Sequence, residues 1–300
     1  MPIVEQRSVL TGLQVKDAMR RNVQRMAADA TLGACIRRMI KYKGGALLVD
    51  APAGKPAGVV SRTDLMGAYY AGLPLEAALQ DILAGPPRFC YPDDGLEDAL
   101  DLMRQAGIHR LYVRGAGSAE AAGVIGFADI VGLIYRYCRF CAQSRRKAKR
   151  PDAAIGRLTV REVMSPLAAS CNAGDPIELV IETLSTHHFG AVLIAGVQAE
   201  PVGVVSKADL MLAYLHGVPT SAGADSVMSA PVAACSSTAL LAEAIQQMLL
   251  KDVQRLFVTA ADGPAVIGVL SLSDAARFRS GTCKACGASR VLGELPGACR

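Results

Sequence analysis

Apolar and polar positions along this chain follow one order of periods, and that order is written four times. Between residues 31 and 43 the apolar side chains Leu32, Cys35, Ile36, Met39 and Ile40 recur at helical spacing, which predicts an amphipathic helix with that face buried. The run Ala46-Leu47-Leu48-Val49 then predicts a short strand, and Pro52-Ala53-Gly54-Lys55-Pro56 predicts a turn. A second strand over 57–60 and a helix over 62–70 complete the quarter. Leu96, Ala99, Leu100 and Met103 open the same order again, with strands over 111–113 and 123–125 and a last helix over 128–137. Ile177, Val180, Ile181 and Leu184 open a third quarter, and Leu241, Ala244, Ile245, Met248 and Leu249 a fourth.

The stretch joining second strand to last helix repeats most closely. Gly58-Val59-Val60-Ser61-Arg62-Thr63-Asp64-Leu65 returns as Gly123-Val124-Ile125-Gly126-Phe127-Ala128-Asp129-Ile130. It returns again as Gly203-Val204-Val205-Ser206-Lys207-Ala208-Asp209-Leu210 and Gly268-Val269-Leu270-Ser271-Leu272-Ser273-Asp274-Ala275. The four aspartates are 65, 80 and 65 residues apart, so the repeat is a unit of two with a period of 145. Val15, Met19, Gly45, Tyr69 and Pro74 return at that offset as Val160, Met164, Gly190, Tyr214 and Pro219. A quarter of about 60 residues is too small to bury both faces of its own sheet, so pairing makes physical sense.

The leading motifs Val15-Lys16-Asp17-Ala18-Met19 and Val160-Arg161-Glu162-Val163-Met164-Ser165-Pro166, with the four aspartate-ended exit motifs, resemble cystathionine-beta-synthase (CBS) domains. The resemblance covers residues 13–278 and implies an α/β (α+β) chain of four CBS domains. The resemblance also implies two tandem CBS-pair modules, a pseudo-twofold duplication at the 145-residue period. The domains are expected over 12–77, 78–137, 157–222 and 223–279, with a linker over 138–156 and a tail over 280–300. Tandem pairs of this family pack through their sheets, often as a flat disc of four domains. The resemblance further implies clefts between paired domains that take AMP, ADP, ATP or S-adenosylmethionine, and a regulatory role.

Read without the family, Ser61 and Asp64 have the spacing of a capping box, in which serine and acid satisfy backbone donors at a helix start. The same geometry offers free N–H groups and a positive dipole end to a phosphate, and a carboxylate to ribose hydroxyls. The two readings are compatible. In the family the matching serine and aspartate bind nucleotide, which points to Ser61 with Asp64, Ser206 with Asp209 and Ser271 with Asp274. The second copy has Gly126 in place of serine, so the site at Asp129 is expected to be weak or empty. Arg62 and Lys207, just inside their helices, and Arg110 and Arg255, at strand starts, are the candidate phosphate cations. Solvated surface charge is the bland alternative for each. His109, His187 and His188 precede strands and read as loop histidines.

Composition narrows the class. The 51% apolar, 20% charged and 5% aromatic content fits folded domains rather than disorder. No stretch approaches the roughly 18 apolar residues of a membrane span, and nothing at the N-terminus has signal-peptide form, so the chain reads as cytoplasmic. A net charge of +5 suits anionic ligands without indicating a nucleic-acid protein. The basic run 144–150 has no aromatic interleaving for base stacking, so it reads as a solvated linker.

Nine cysteines in core-like segments argue against a secreted disulfide framework. Four of them are different. Cys138 and Cys141 return 145 residues later as Cys283 and Cys286, each pair a Cys-x-x-Cys after the last helix of a half. If a pseudo-twofold axis passes near both tails, four thiolates meet in a site suited to zinc. An iron–sulfur cluster, a disulfide in each half, or plain reduced thiols are the alternatives. Cys35, Cys90, Cys171 and Cys235 read as core residues, and Cys299 as either an extra ligand or a tail residue.

No nucleophile motif and no Gly-rich phosphate loop is visible, so the expectation is a regulatory protein, not an enzyme. The leading reading is a stand-alone sensor of adenosine-containing nucleotides acting on another protein, with a second copy of the chain as a candidate partner. The alternative is a zinc- or redox-dependent structural or interaction protein with unliganded CBS clefts.

Overall fold

The computed structural model describes residues 10–52, 55–115, 120–147, 157–166 and 168–277. Its first half runs α1 (Val15–Ala18), β1 (Arg25–Ala27), α2 (Leu32–Lys41), β2 (Ala46–Asp50), β3 (Pro56–Ser61) and α3 (Arg62–Tyr70). It continues with β4 (Phe89–Cys90), α4 (Leu96–Gln105), β5 (Arg110–Arg114), β6 (Ala121–Gly126) and α5 (Phe127–Lys147). The second half repeats this as β7 (Ser170–Asn172), α6 (Ile177–Thr186), β8 (Ala191–Ala195), β9 (Pro201–Ser206) and α7 (Lys207–Leu215). It closes with β10 (Ala234–Ser236), α8 (Leu241–Lys251), β11 (Arg255–Thr259), β12 (Val266–Ser271) and α9 (Leu272–Arg277).

The fold is mixed α/β, with four three-stranded sheets, one per quarter, along a chain of two tandem pairs. In every sheet the long middle strand runs parallel to a short first strand and antiparallel to the third, as in β1-β2-β3. The short first strands have two or three residues, too few to show a period, and the apolar pattern alone did not resolve them. Leu47, Leu48 and Val49 of β2 are all buried, as an uninterrupted apolar run requires. The helix α2 starts where Thr31 accepts a hydrogen bond from the Ala34 N–H at 3.2 Å, and it buries Leu32, Cys35, Ile36 and Met39.

One element departs from its expected length. The helix expected to stop near residue 137 continues as α5 to Lys147, so the first part of the expected linker is helical. Between Gly132 and Pro151 no glycine or proline interrupts it, and Arg, Gln and Lys are good helix formers.

The chain folds into two compact units that draw on both halves. Quarters one and three, residues 22–88 and 168–232, make the odd unit. The described residues of quarters two and four, within 89–166 and 233–277, make the even unit together with residues 10–21. In the odd unit α3 packs on α7, and Leu65, Met66, Leu210 and Met211 share one core with the inner faces of α2 and α6. The Tyr69 and Tyr214 rings stack with centroids 5.0 Å apart. Tyr69 donates to the Val218 carbonyl and Tyr214 to the Leu73 carbonyl, both at 2.6 Å, a reciprocal pair related by the 145-residue offset. In the even unit α5 packs on α9, and Leu10, Val15, Leu158 and Val160 join the core.

Each third strand is crossed by another segment, and the crossing explains the glycine that opens every exit motif. Ala84 bridges to Val59 and Ser229 to Val204, each from the segment that follows its own quarter. In the even unit the crossing comes from the leading motifs: Arg20 bridges to Val124 and Ser165 to Val269. The segments 14–20 and 159–165 thus lie on quarters two and four rather than on the quarters they precede. A Cβ at Gly58 would sit 2.9 Å from the Ala84 carbonyl oxygen, and one at Gly123 would sit 2.9 Å from that of Arg20. Only glycine admits so close a backbone.

Candidate functional site

The exit motifs place a carboxylate beneath the first turn of a helix. In quarter one the Asp64 Oδ2 accepts from the Ser61 N–H and the Ser61 hydroxyl, both at 2.7 Å, while Ser61 Oγ accepts from the Thr63 N–H at 3.2 Å. In quarter three Asp209 Oδ2 accepts from the Ser206 N–H at 2.8 Å and its hydroxyl at 2.5 Å, and the Ala208 N–H reaches Ser206 Oγ at 3.3 Å. In quarter four Asp274 Oδ2 accepts from the Ser271 N–H at 2.9 Å and its hydroxyl at 2.5 Å. The capping geometry expected from the spacing is therefore present. In quarter two it is reduced to the Gly126 N–H donating to Asp129 Oδ2 at 2.9 Å.

What separates the four sites is the other carboxylate oxygen. Among the described residues no group donates to Oδ1 of Asp64 or of Asp274. Asp209 Oδ1 accepts from the Ser229 hydroxyl at 2.6 Å. Asp129 Oδ1 is held by Arg20 Nε at 2.8 Å. Burial pushes the Asp129 carboxyl above its ordinary range, against the opposing pull of the Arg20 charge, the Gly126 N–H and the Arg110 charge. Gly126 is not a simple loss of serine, because a Cβ there would lie 2.9 Å from the His109 carbonyl oxygen.

The candidate cations divide between the units. In the odd unit Arg62 Nε donates to the Gly44 carbonyl at 3.0 Å, and Lys207 Nζ donates to Thr63 Oγ1 at 2.8 Å. The start of α7 thereby touches the start of α3, which brings Arg62 and Lys207 to one region of the unit. In the even unit Arg110 stands in register opposite Gly126, and Arg255 opposite Ser271, where the odd unit has Ala46 opposite Ser61 and Ala191 opposite Ser206. His109 meets the Phe127 ring edge-on at 5.6 Å and His187 stacks on Phe189 at 5.4 Å, so both are packed against aromatic rings.

Arg20 and Ser229 were not among the candidates drawn from the sequence. Neither belongs to the exit motif, and Arg20 reaches Asp129 from a segment that precedes quarter one. No local spacing signals such a partner.

Cys35, Cys90 and Cys171 are buried, and Cys235 partly so, in agreement with a core role. Cys138 and Cys141 lie three residues apart on α5, partly exposed, and Cys138 packs against the core of the even unit. Their expected partners Cys283 and Cys286 lie outside the described residues, as does Cys299. Among the described residues no cluster of three or more His, Cys, Asp or Glu side chains is arranged to hold a metal ion. No described helix is long and apolar enough to cross a membrane.

With this geometry in place the class is defined: four small sheets, each followed by a helix whose first turn carries an aspartate that accepts the backbone N–H of the residue before the helix. The CBS domain family model matches residues 15–71, 79–136, 160–216 and 224–281, and the chain belongs to the CBS domain family. A crystal structure of a Methanocaldococcus jannaschii protein superposes with a TM-score of 0.73 at 11% identity, covering 89% of this chain and 99% of that one. A conserved protein from Pyrococcus horikoshii does so with a TM-score of 0.56 at 17% identity, covering 88% and 99%. Both likenesses concern the fold. A protein of Methanopyrus kandleri is 25% identical over 128 residues, which span 41% of this chain and 61% of that relative.

Proposed function

We propose that this protein is a regulatory sensor that binds adenosine-containing nucleotides at its exit motifs and passes the signal to another protein. One observation carries the reading. Asp64 and Asp274 commit one carboxylate oxygen to capping the helix, and the other receives no hydrogen bond among the described residues. A carboxylate so held is oriented by its cap and still has lone pairs for the two hydroxyls of a ribose. The helix starts at α3 and α9 offer dipole ends for a phosphate beside that ribose. Arg62 and Lys207 supply positive charge in the odd unit, and Arg110 and Arg255 supply it in the even unit. Family membership supports the same ligand class. For a signal to pass, the ligand must bind one conformation more tightly than the other, since equal affinity shifts nothing.

The test is the thermal midpoint of the purified chain with AMP, ADP, ATP, S-adenosylmethionine and GTP. A ligand at about 100 times its dissociation constant adds roughly 2.7 kcal/mol, a rise on the order of 5 °C for a chain of this size. An adenosine ligand is expected to produce that rise, and the double variant Asp64→Ala/Asp274→Ala to lose most of it while still melting cooperatively. No shift with any of the five, or an undiminished shift in the double variant, would overturn the reading.

A further inference from the structure

The four exit motifs share their opening Gly-Val and their aspartate at one spacing, yet the structure treats the four carboxylates differently, and the difference comes from one crossing position. Ala84, Arg20, Ser229 and Ser165 are the residues that bridge to Val59, Val124, Val204 and Val269, five residues before each exit aspartate. Ala84 has no side-chain donor. Ser165 makes no hydrogen bond to Asp274. Ser229 gives Asp209 a neutral hydroxyl donor, and Arg20 gives Asp129 a charged guanidinium donor.

Resting on the nucleotide reading above, we propose that this crossing residue selects which exit motifs accept a ribose, and that Arg20 closes the one at Asp129. A ribose hydroxyl is a neutral donor. To reach Asp129 Oδ1 it must displace an ion pair in which both partners carry charge, while the hydroxyl brings only a neutral donor to the same carboxylate. The Asp129 side chain is 11% exposed and that of Arg20 is 60% exposed, so the guanidinium keeps much of its hydration while it satisfies a largely buried carboxylate. The ligand would gain less at this site as well, because Gly126 offers no hydroxyl and the His109 carbonyl leaves no room for a side chain there. At Asp209 the Ser229 hydroxyl can rotate away, so this site stays usable with reduced affinity. Asp64 and Asp274 have nothing to displace.

The experiment is isothermal titration of the full chain with AMP and, separately, ATP at pH 8. The proteins are wild type, Arg20→Ala, Arg20→Gln, Asp129→Asn and Arg20→Ala/Asp129→Asn, each first checked for a cooperative melt. Arg20→Ala is expected to bind one more nucleotide per chain than wild type. Arg20→Gln does the same should the alanine variant melt early. Adding Asp129→Asn to Arg20→Ala removes the extra site, and Asp129→Asn alone leaves the wild-type stoichiometry unchanged. An unchanged stoichiometry in both folded Arg20 variants overturns the selector while leaving the nucleotide reading intact. Weaker binding in those variants overturns it too, by making Arg20 a ligand contact. Failure of every protein to bind either nucleotide overturns the nucleotide reading itself, and the selector with it.

Discussion

At the scale of the residue, the exit aspartate serves two ends with two oxygens. Its spacing from serine predicted the cap, and the cap formed in quarters one, three and four. The use of the second oxygen was not legible, because its partner arrives from a distant part of the chain. The cysteines show the converse, since their place among apolar residues in the sequence was enough to mark Cys35, Cys90 and Cys171 as buried. Burial pushes the thiols of Cys35 and Cys90 up to about 12. At pH 8 almost no thiolate forms at either, so iodoacetamide is expected to leave both unmodified in the folded protein and to label both after unfolding. Mass spectrometry of the two residues reads this directly. The same shift fixes a pH dependence. Unfolded thiols lose their protons near pH 8.5 while the folded ones keep them, so stability is expected to fall as pH rises from about 9 towards 12. Urea midpoints measured across that range test the sign.

At the scale of the element, the apolar periods gave the middle and third strands of quarters one and two within two residues, and the order of middle strand, third strand and helix in all four. They failed where an element is too short to show a period, as in β4, and where no breaker marks an end, as in α5. The recurrent glycine of the exit motif was visible as a repeat, but its cause lies in the crossing segment. At Gly58 and Gly123 the opposing atom is a backbone carbonyl, whereas at Gly203 it is the side chain of Met228. Backbone held in a bridge cannot retreat, and a methionine side chain can change rotamer. Gly58→Ala and Gly123→Ala are therefore expected to cost about 1–3 kcal/mol each, and Gly203→Ala clearly less. Equilibrium urea denaturation of the three variants decides it, and equal costs at all three positions would contradict the account.

At the scale of the whole molecule, the duplication is realised as contact between equivalent quarters. In the odd unit the Tyr69–Tyr214 stack and its reciprocal hydroxyl–carbonyl bonds are what an isologous interface produces when the two copies lie in one chain. Tyr69→Phe and Tyr214→Phe keep the stack and remove one hydrogen bond each. Each is expected to cost about 0.5–1.5 kcal/mol, with the two costs agreeing to about 0.5 kcal/mol. A neutral substitution at one position beside a costly one at the other, measured by denaturant titration, would show that the two bonds are not equivalent.

The sequence by itself determined the four quarters, the order of their main elements, the 145-residue period, the caps and the burial of Cys35, Cys90 and Cys171. Each of these depends on interactions between neighbours in the chain or on a period of apolar positions, and both are written locally. Only the tertiary structure decided that equivalent quarters share a core, that the leading motifs cross quarters two and four, and that Arg20 meets Asp129. Those contacts join residues far apart in sequence, and what brings them together is burial of apolar surface, which has no direction along the chain.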